Sequence, residues 1–270
     1  MDYAKNMAIA KENHEILRKG LYETADGKAW SFHHSLAELQ QAEVYLPGNL
    51  EILMEEAKKL PRTGKGNISV VEGDTMDYAG EGVLNFANAY EPGGGYLWGA
   101  VSQEECLCRE STLYASLSSR EGSKLYAYNR SLSGLESDGM IFSPHVEIFR
   151  KNGDENHALL GPAKETSVIT SPAPDLRGPA KKLAPFEIRS IRLARIRYML
   201  SLFAAKNCRT ITLGAWGCGV FGHDPFDVAD DFHTVLMYED MKNLFDKIIF
   251  AVWCGKDKRN LLAFQETFGK

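Results

Sequence analysis

The sequence predicts an α/β fold, a sheet covered by helices on both faces. Three observations predict it. Strand-like and helix-like segments alternate from Asn67 onward. Several of the strands read as unbroken apolar runs, such as "IIFAVW" at Ile248–Trp253, which suits burial on both faces. Two glycine-rich stretches, "GGG" at 93–95 and "LGAWGCGVFGHDP" at 213–225, each follow a strand, and such sheets bind ligands beyond the carboxyl ends of their strands.

Taken in order, Ile9 to Leu21 reads as an amphipathic helix and Ser35 to Val44 as a second, short helical piece. "LPRTGKGN" (Leu60 to Asn67) carries a proline and two glycines and is the best linker candidate. "NISVVEG" and "GVLNFAN" follow as strands, and Ser102 to Leu117 is helical. "MIFSPHVEIFR" contains one or two strands, and "SVITSPAP" is another, stopped by its prolines. Leu193, Ile196, Leu200 and Phe203 form an apolar stripe at helical spacing within Glu187 to Lys206. "RTITLGAW" is a strand, Phe226 to Leu236 and Met241 to Phe245 are helical, and "KIIFAVWC" is the final strand.

Bulk properties narrow the function. With 270 residues, 44% hydrophobic and 25% charged, the chain resembles an ordinary globular protein with a sizeable core. A net charge of −5 argues against general nucleic-acid binding, which needs a basic face. The N-terminal segment is too polar for a secretory leader, and no apolar run is long enough to span a bilayer. Five cysteines, odd in number and without a CxxC pair, favour neither disulfides nor a zinc site, so a cytoplasmic, reduced protein is expected.

The two glycine stretches are the candidate site. Successive glycines let backbone N–H groups approach an anion, and two such loops at one sheet edge could hold a diphosphate. "GCGVFG" matches GxGxxG, but it comes late in the chain and lacks the acid expected after the next strand. Neither cluster is followed by GK[ST], which excludes a P-loop. Asp224 and Pro225 read as the N-cap and first residue of a helix.

"SQEE" at 102–105 has two readings. As structure, Ser102 and Glu105 make a capping box, and Glu105 with Arg109 an i,i+4 ion pair. As chemistry, a glutamate delivered to the cleft beside a diphosphate has its pKa raised by like charge and becomes a proton donor for glycosidic cleavage. Glu104 and Glu105 point about 100° apart on a helix, so they do not flank a bond from opposite faces. One acid performing both proton steps fits better.

"NFANAYEPGGGYLWGAVSQEECLCRESTLY" resembles the bacterial-type poly(ADP-ribose) glycohydrolases, a branch of the macrodomain superfamily with GGG, six to eight residues, then QEE; here the gap is seven. "LGAWGCGVFGHDP" looks like that family's second loop. The resemblance implies a three-layer α/β/α macrodomain with a mixed, mostly parallel sheet, residues 67–270, behind an N-terminal helical extension, residues 1–66. It implies Glu105 as catalytic acid, with Glu104 beside it contacting ribose. Asn88 would hold ribose hydroxyls, and Gly93, Gly94 and Gly95 would back the distal ribose and diphosphate, with Gln103 completing this set. Gly217, Gly219 and Val220 would form the diphosphate loop, Phe221 would pack on the nucleoside, and Asp74 in "EGDT" would read the adenine. The substrate would be poly(ADP-ribose) and the product ADP-ribose, with no cofactor and no metal in the reaction. Two alternatives stay open: a hydrolase of mono-ADP-ribosylated protein or nucleic acid, and a non-catalytic ADP-ribose reader. Outside these motifs, His223 is expected in solvent, Arg189, Arg192 and Arg197 on a solvated helix face, and Trp98 as a lid or a packing aromatic.

Overall fold

The computed structural model describes residues 2–269. The chain opens with α1 (Tyr3–Lys19), a hairpin of β1 (Leu21–Glu23) and β2 (Ala29–Ser31), a single turn α2 (Leu36–Leu39), β3 (Glu43–Tyr45) and α3 (Pro47–Ala57). Then come β4 (Asn67–Glu72), β5 (Gly82–Phe86), α4 (Gln103–Glu110), α5 (Leu113–Leu117) and α6 (Ser123–Ser131). The long strands β6 (Met140–Arg150) and β7 (Leu159–Ser171) lead to α7 (Pro185–Ala205), β8 (Thr210–Leu213), α8 (Pro225–His233), β9 (Lys247–Val252) and α9 (Arg259–Phe268).

Seven strands form one sheet in the order β3-β6-β7-β5-β8-β9-β4. The four pairs from β7 to β4 are parallel, while β6 runs antiparallel to both neighbours. Alternation along the strands divides the core into two layers. Leu84, Phe142 and Ile169 pack with residues of α3, α7, α8 and α9 on one face. Val83, Ile141 and Val168 pack with α1, α4, α5 and α6 on the other. This is the three-layer arrangement with a mixed, mostly parallel sheet. Among the described residues no helix is long and apolar enough to cross a membrane.

The N-terminal segment differs from the reading of two helices. Glu43–Tyr45 is not the tail of a helix but pairs antiparallel with Met140–Phe142, giving the sheet its edge strand. The hairpin, α2 and α3 also lie within it. These pieces are too short for periodicity to register. Helix 102–117 is interrupted at Ser111 and Thr112, where Thr112 N bonds Glu147 O of the neighbouring strand. Asp224 caps α8 as expected, accepting from Phe226 N at 3.0 Å.

Candidate active site

The carboxyl ends of β4, β5, β7, β8 and β9 lie along one edge, and the loops leaving them enclose a cleft of about 750 Å³. The sheet is prised open there. β5 pairs with β8 only through Gly82 and Val83, which leaves the Leu84 carbonyl and Phe86 amide on that side without a strand partner. The Gln103 side chain takes both: Phe86 N donates to its Oε1 at 2.9 Å and its Nε2 donates to Leu84 O at 2.8 Å. A glutamine is suited to this because one planar group supplies both a donor and an acceptor. Gln103 lines the cleft, and its amide ties α4 to β5.

That tie sets the start of α4 at the cleft wall, where Glu104 and Glu105 are both buried. Neither expected structural role of Glu105 forms. Ser102 occupies the N-cap with extended backbone, yet makes no side-chain cap. Among the described residues Glu105 has no ion pair with Arg109; Arg109 is fully buried at the cleft wall and its nearest side-chain partner is Cys106 Sγ at 3.6 Å. Instead Gly95 N donates to Glu105 Oε1 at 2.8 Å, and Oε2 is buried without a protein partner.

The three glycines explain this orientation. Gly94 has φ +55°, and a Cβ there would sit 2.6 Å from Glu105 Oε1 and 3.1 Å from Glu104 Oε2. Gly94 and Gly95 stand against the Glu105 carboxylate, and Gly93 stands against Cys108 and Tyr114.

Glu104 is held differently. Asn88 N donates to its Oε2 at 2.7 Å and Asn85 Nδ2 to its Oε1 at 3.1 Å. Burial pushes its pKa up to about 8, the Glu105 charge adds to the rise, and the two hydrogen bonds oppose it. Asn88 lines the cleft, and its Oδ1 accepts from Tyr90 N and Glu91 N. Asn85 went unread in the sequence. The signal was a polar residue inside an apolar strand, in phase with Val83 and so facing α4.

The second loop closes the other side of the cleft. Gly217, Gly219, Val220 and Phe221 all line it. Gly217 has φ +78°, and a Cβ there would meet His223 Cδ2 at 2.6 Å, whereas Gly219 faces open space. His223 is buried, not solvated. Its Nε2 donates to Pro174 O at 2.7 Å and its Nδ1 accepts from Arg192 Nη1 at 3.2 Å, so burial holds the ring neutral, with a pKa down to about 4. Arg192 likewise leaves the expected solvated face and is buried against Asp231; Arg189 and Arg197 stay partly exposed, in ion pairs with acids of neighbouring segments. Phe221 carries the Arg177 guanidinium 5.5 Å from its ring centre, an arginine the sequence reading missed. At the far end Asp74 lines the cleft, accepts from Met76 N at 2.9 Å, and is raised chiefly by burial. Trp98 is 73% exposed and so is not a packed aromatic.

The fold is shared with known proteins. Residues 10–151 match the family model of the microbial-type poly(ADP-ribose) glycohydrolase (PARG) catalytic domain. The chain belongs to the microbial-type PARG family. It is 34% identical to the poly(ADP-ribose) glycohydrolase of Thermomonospora curvata, with a TM-score of 0.90 over 97% of this chain and 99% of that one. The same enzyme bound to the inhibitor ADP-HPD gives 33% identity and a TM-score of 0.85, again covering 97% and 99% of the two chains. The Deinococcus radiodurans enzyme in complex with ADP-ribose gives 32% identity and a TM-score of 0.78, over 87% and 96%. No curated protein matches the chain. As a microbial-type PARG, the chain is a glycoside hydrolase of poly(ADP-ribose).

Proposed function

We propose that this PARG cleaves the ribose–ribose bond from the chain end with Glu105 as its single acid and base, releasing ADP-ribose. The observation that carries the reading is the division of labour within one carboxylate: Oε1 is fixed by Gly95 N while Oε2 has no protein partner. In the first step the Glu105 carboxyl protonates the leaving 2′ oxygen as the bond breaks toward an oxocarbenium-like state. The carboxylate so formed then takes a proton from the attacking water, which restores the acid. Glu104 is occupied by Asn85 and Asn88 and carries its proton near neutral pH, so it serves to orient the ribose and not as a nucleophile.

The same reading assigns Asn88 Nδ2 to a ribose hydroxyl, the amides of 217–221 to the diphosphate, Phe221 to the nucleoside and Asp74 to the adenine amino group. It assigns Gly93, Gly94 and Gly95 to backing the distal ribose and diphosphate, with Gly94 and Gly95 also seating Glu105, and Gln103 to the same wall of the cleft, where it sets the start of α4. Residues 1–66 are best regarded as an extension packed on a core of 67–270, to which they lend β3. The five free cysteines suit a reducing, cytoplasmic setting.

The test is incubation of wild type and Glu105→Gln with labelled polymer, alongside mono-ADP-ribosylated protein and DNA. ADP-ribose released from polymer at the earliest times, without intermediate oligomers, is the expected result. Oligomers as first products would overturn exo action. Preferential release from a mono-modified substrate would overturn the polymer assignment, and binding of polymer without release would leave a reader.

A further inference from the structure

On the antiparallel side of the sheet, outside the cleft lining, three side chains from three separate segments converge. His34 lies between β2 and α2, His145 in β6 and Glu165 in β7. His34 Nε2 is 2.7 Å from Glu165 Oε1, and His145 Nδ1 is 3.5 Å from the same oxygen. The imidazole centres are 4.1 Å apart, and one ligand atom from each residue lies within 4.8 Å of the other two.

Local structure places each ring. Between Ser143 and Val146 the pairing of β6 with β7 shifts: three steps on β6 oppose two on β7, from Val168 to Thr166. The extra residue at Pro144-His145 is a bulge, a device that re-aims a side chain. Ile141 before it and Val146 and Ile148 after it pack into the same cluster, so side-chain parity changes at His145. His34 is presented by the buried Glu147, whose carboxylate accepts from the backbone N of His33 at 3.0 Å and of His34 at 2.9 Å.

We propose that His34, His145 and Glu165 bind a divalent late transition-metal ion, zinc foremost, which staples the N-terminal connector to the sheet. Two imidazoles and one carboxylate are a zinc donor set, whereas calcium and magnesium take oxygen alone. Ligands about 2.0–2.1 Å from a tetrahedral zinc lie roughly 3.3–3.4 Å from one another, so the observed 2.7 and 3.5 Å separations need only small adjustment. Half of the Glu165 side chain remains exposed, which leaves room for water to complete the shell. Binding needs the hydrogen off each coordinating nitrogen, on Nδ1 of His34 and on Nε2 of His145, tautomers open to a neutral imidazole. None of the three residues lines the cleft, so the ion is structural.

The test uses the untagged full chain, titrated with zinc chloride by calorimetry and followed by thermal unfolding. One equivalent should bind and raise the Tm, because the ion binds only where the connector is docked. His34→Ala and His145→Gln should each weaken binding by at least about tenfold and remove the Tm rise. Glu165→Gln should weaken it as well, and His233→Ala on α8 should leave both readouts intact. Absence of saturable binding up to on the order of 100 μM zinc would overturn the site. So would binding and a Tm rise that survive both histidine variants.

Discussion

The two glycine loops resemble one another in composition and differ in what their glycines avoid. At Gly94 the space a side chain would fill is already taken by the protein's own Glu105, with a Cβ 2.6 Å from Oε1. At Gly219 a Cβ would meet no protein atom within 4 Å, and the residue lines the cleft. Gly94 in the first loop therefore makes room for the Glu105 carboxylate, whereas Gly219 in the second leaves the cleft open. The anchors differ in the same sense. The first loop is hydrogen-bonded to the carboxylate through Gly95 N, while the second is tied down from behind by His223, Pro174 and Arg192. Glycine content alone does not identify a ligand-binding backbone; what occupies the missing side chain's place does.

The comparison can be broken at its strongest point first. Glu105→Gln should bind ADP-ribose almost as wild type does while turnover falls by on the order of 10² or more, the loss expected of a general acid; steady-state rates beside calorimetric affinity measure it. Undiminished turnover would detach the first loop from catalysis.

Glu104→Gln tests how crowded that loop is, through pH. A buried carboxyl raised from 4.5 to about 8 keeps its proton in the folded state after the unfolded chain has lost it. Stability is then lost as pH rises from about 4.5 to 8, since the folded state binds more protons there. The glutamine variant lacks this penalty and should gain on wild type across that window, by on the order of 4 kcal/mol at pH 8. Denaturant unfolding at pH 5 and pH 8 reads the difference, and parallel pH profiles would refute it.

Gly94→Ala combines a strained φ with the approach to Glu105, so a loss of about 1–3 kcal/mol in stability with a clear fall in turnover is expected. Gly219→Ala is the counterpart. Unfolding should stay within about 0.5 kcal/mol of wild type, as for a substitution that touches nothing, while ADP-ribose affinity drops severalfold. Equal behaviour of the two alanine variants would erase the distinction between the loops.

Much of the site was legible because it is written in short, contiguous stretches. GGG and QEE lie seven residues apart, and the strand before them, the turn between them and the helix that begins at Gln103 are local structures with local signals. The readings that failed all depended on partners in another element. Ser102 and Glu105 have the spacing of a capping box, yet the carboxylate turns to Gly95 because the loop closes over it. His223 and Arg192 look like surface residues until α7 packs beneath the second loop and brings them together. Asn85 acquires its role only when α4 crosses β5.

Taken alone, the sequence determined the α/β class, the strand-end position of the cleft, the pair of glutamates and the family, since these rest on periodicity and on motifs within about thirty residues. The tertiary structure alone decided which carboxylate is free and which is held. It also decided that the GGG loop faces the acid, that Gln103 mends an opened sheet, and that residues 43–45 become its edge. Each of these follows from burial and from hydrogen bonding between separate elements, some only ten to nineteen residues apart and one, β3 with β6, about a hundred, and no propensity or periodicity encodes which group of another element will fill a vacant donor or acceptor.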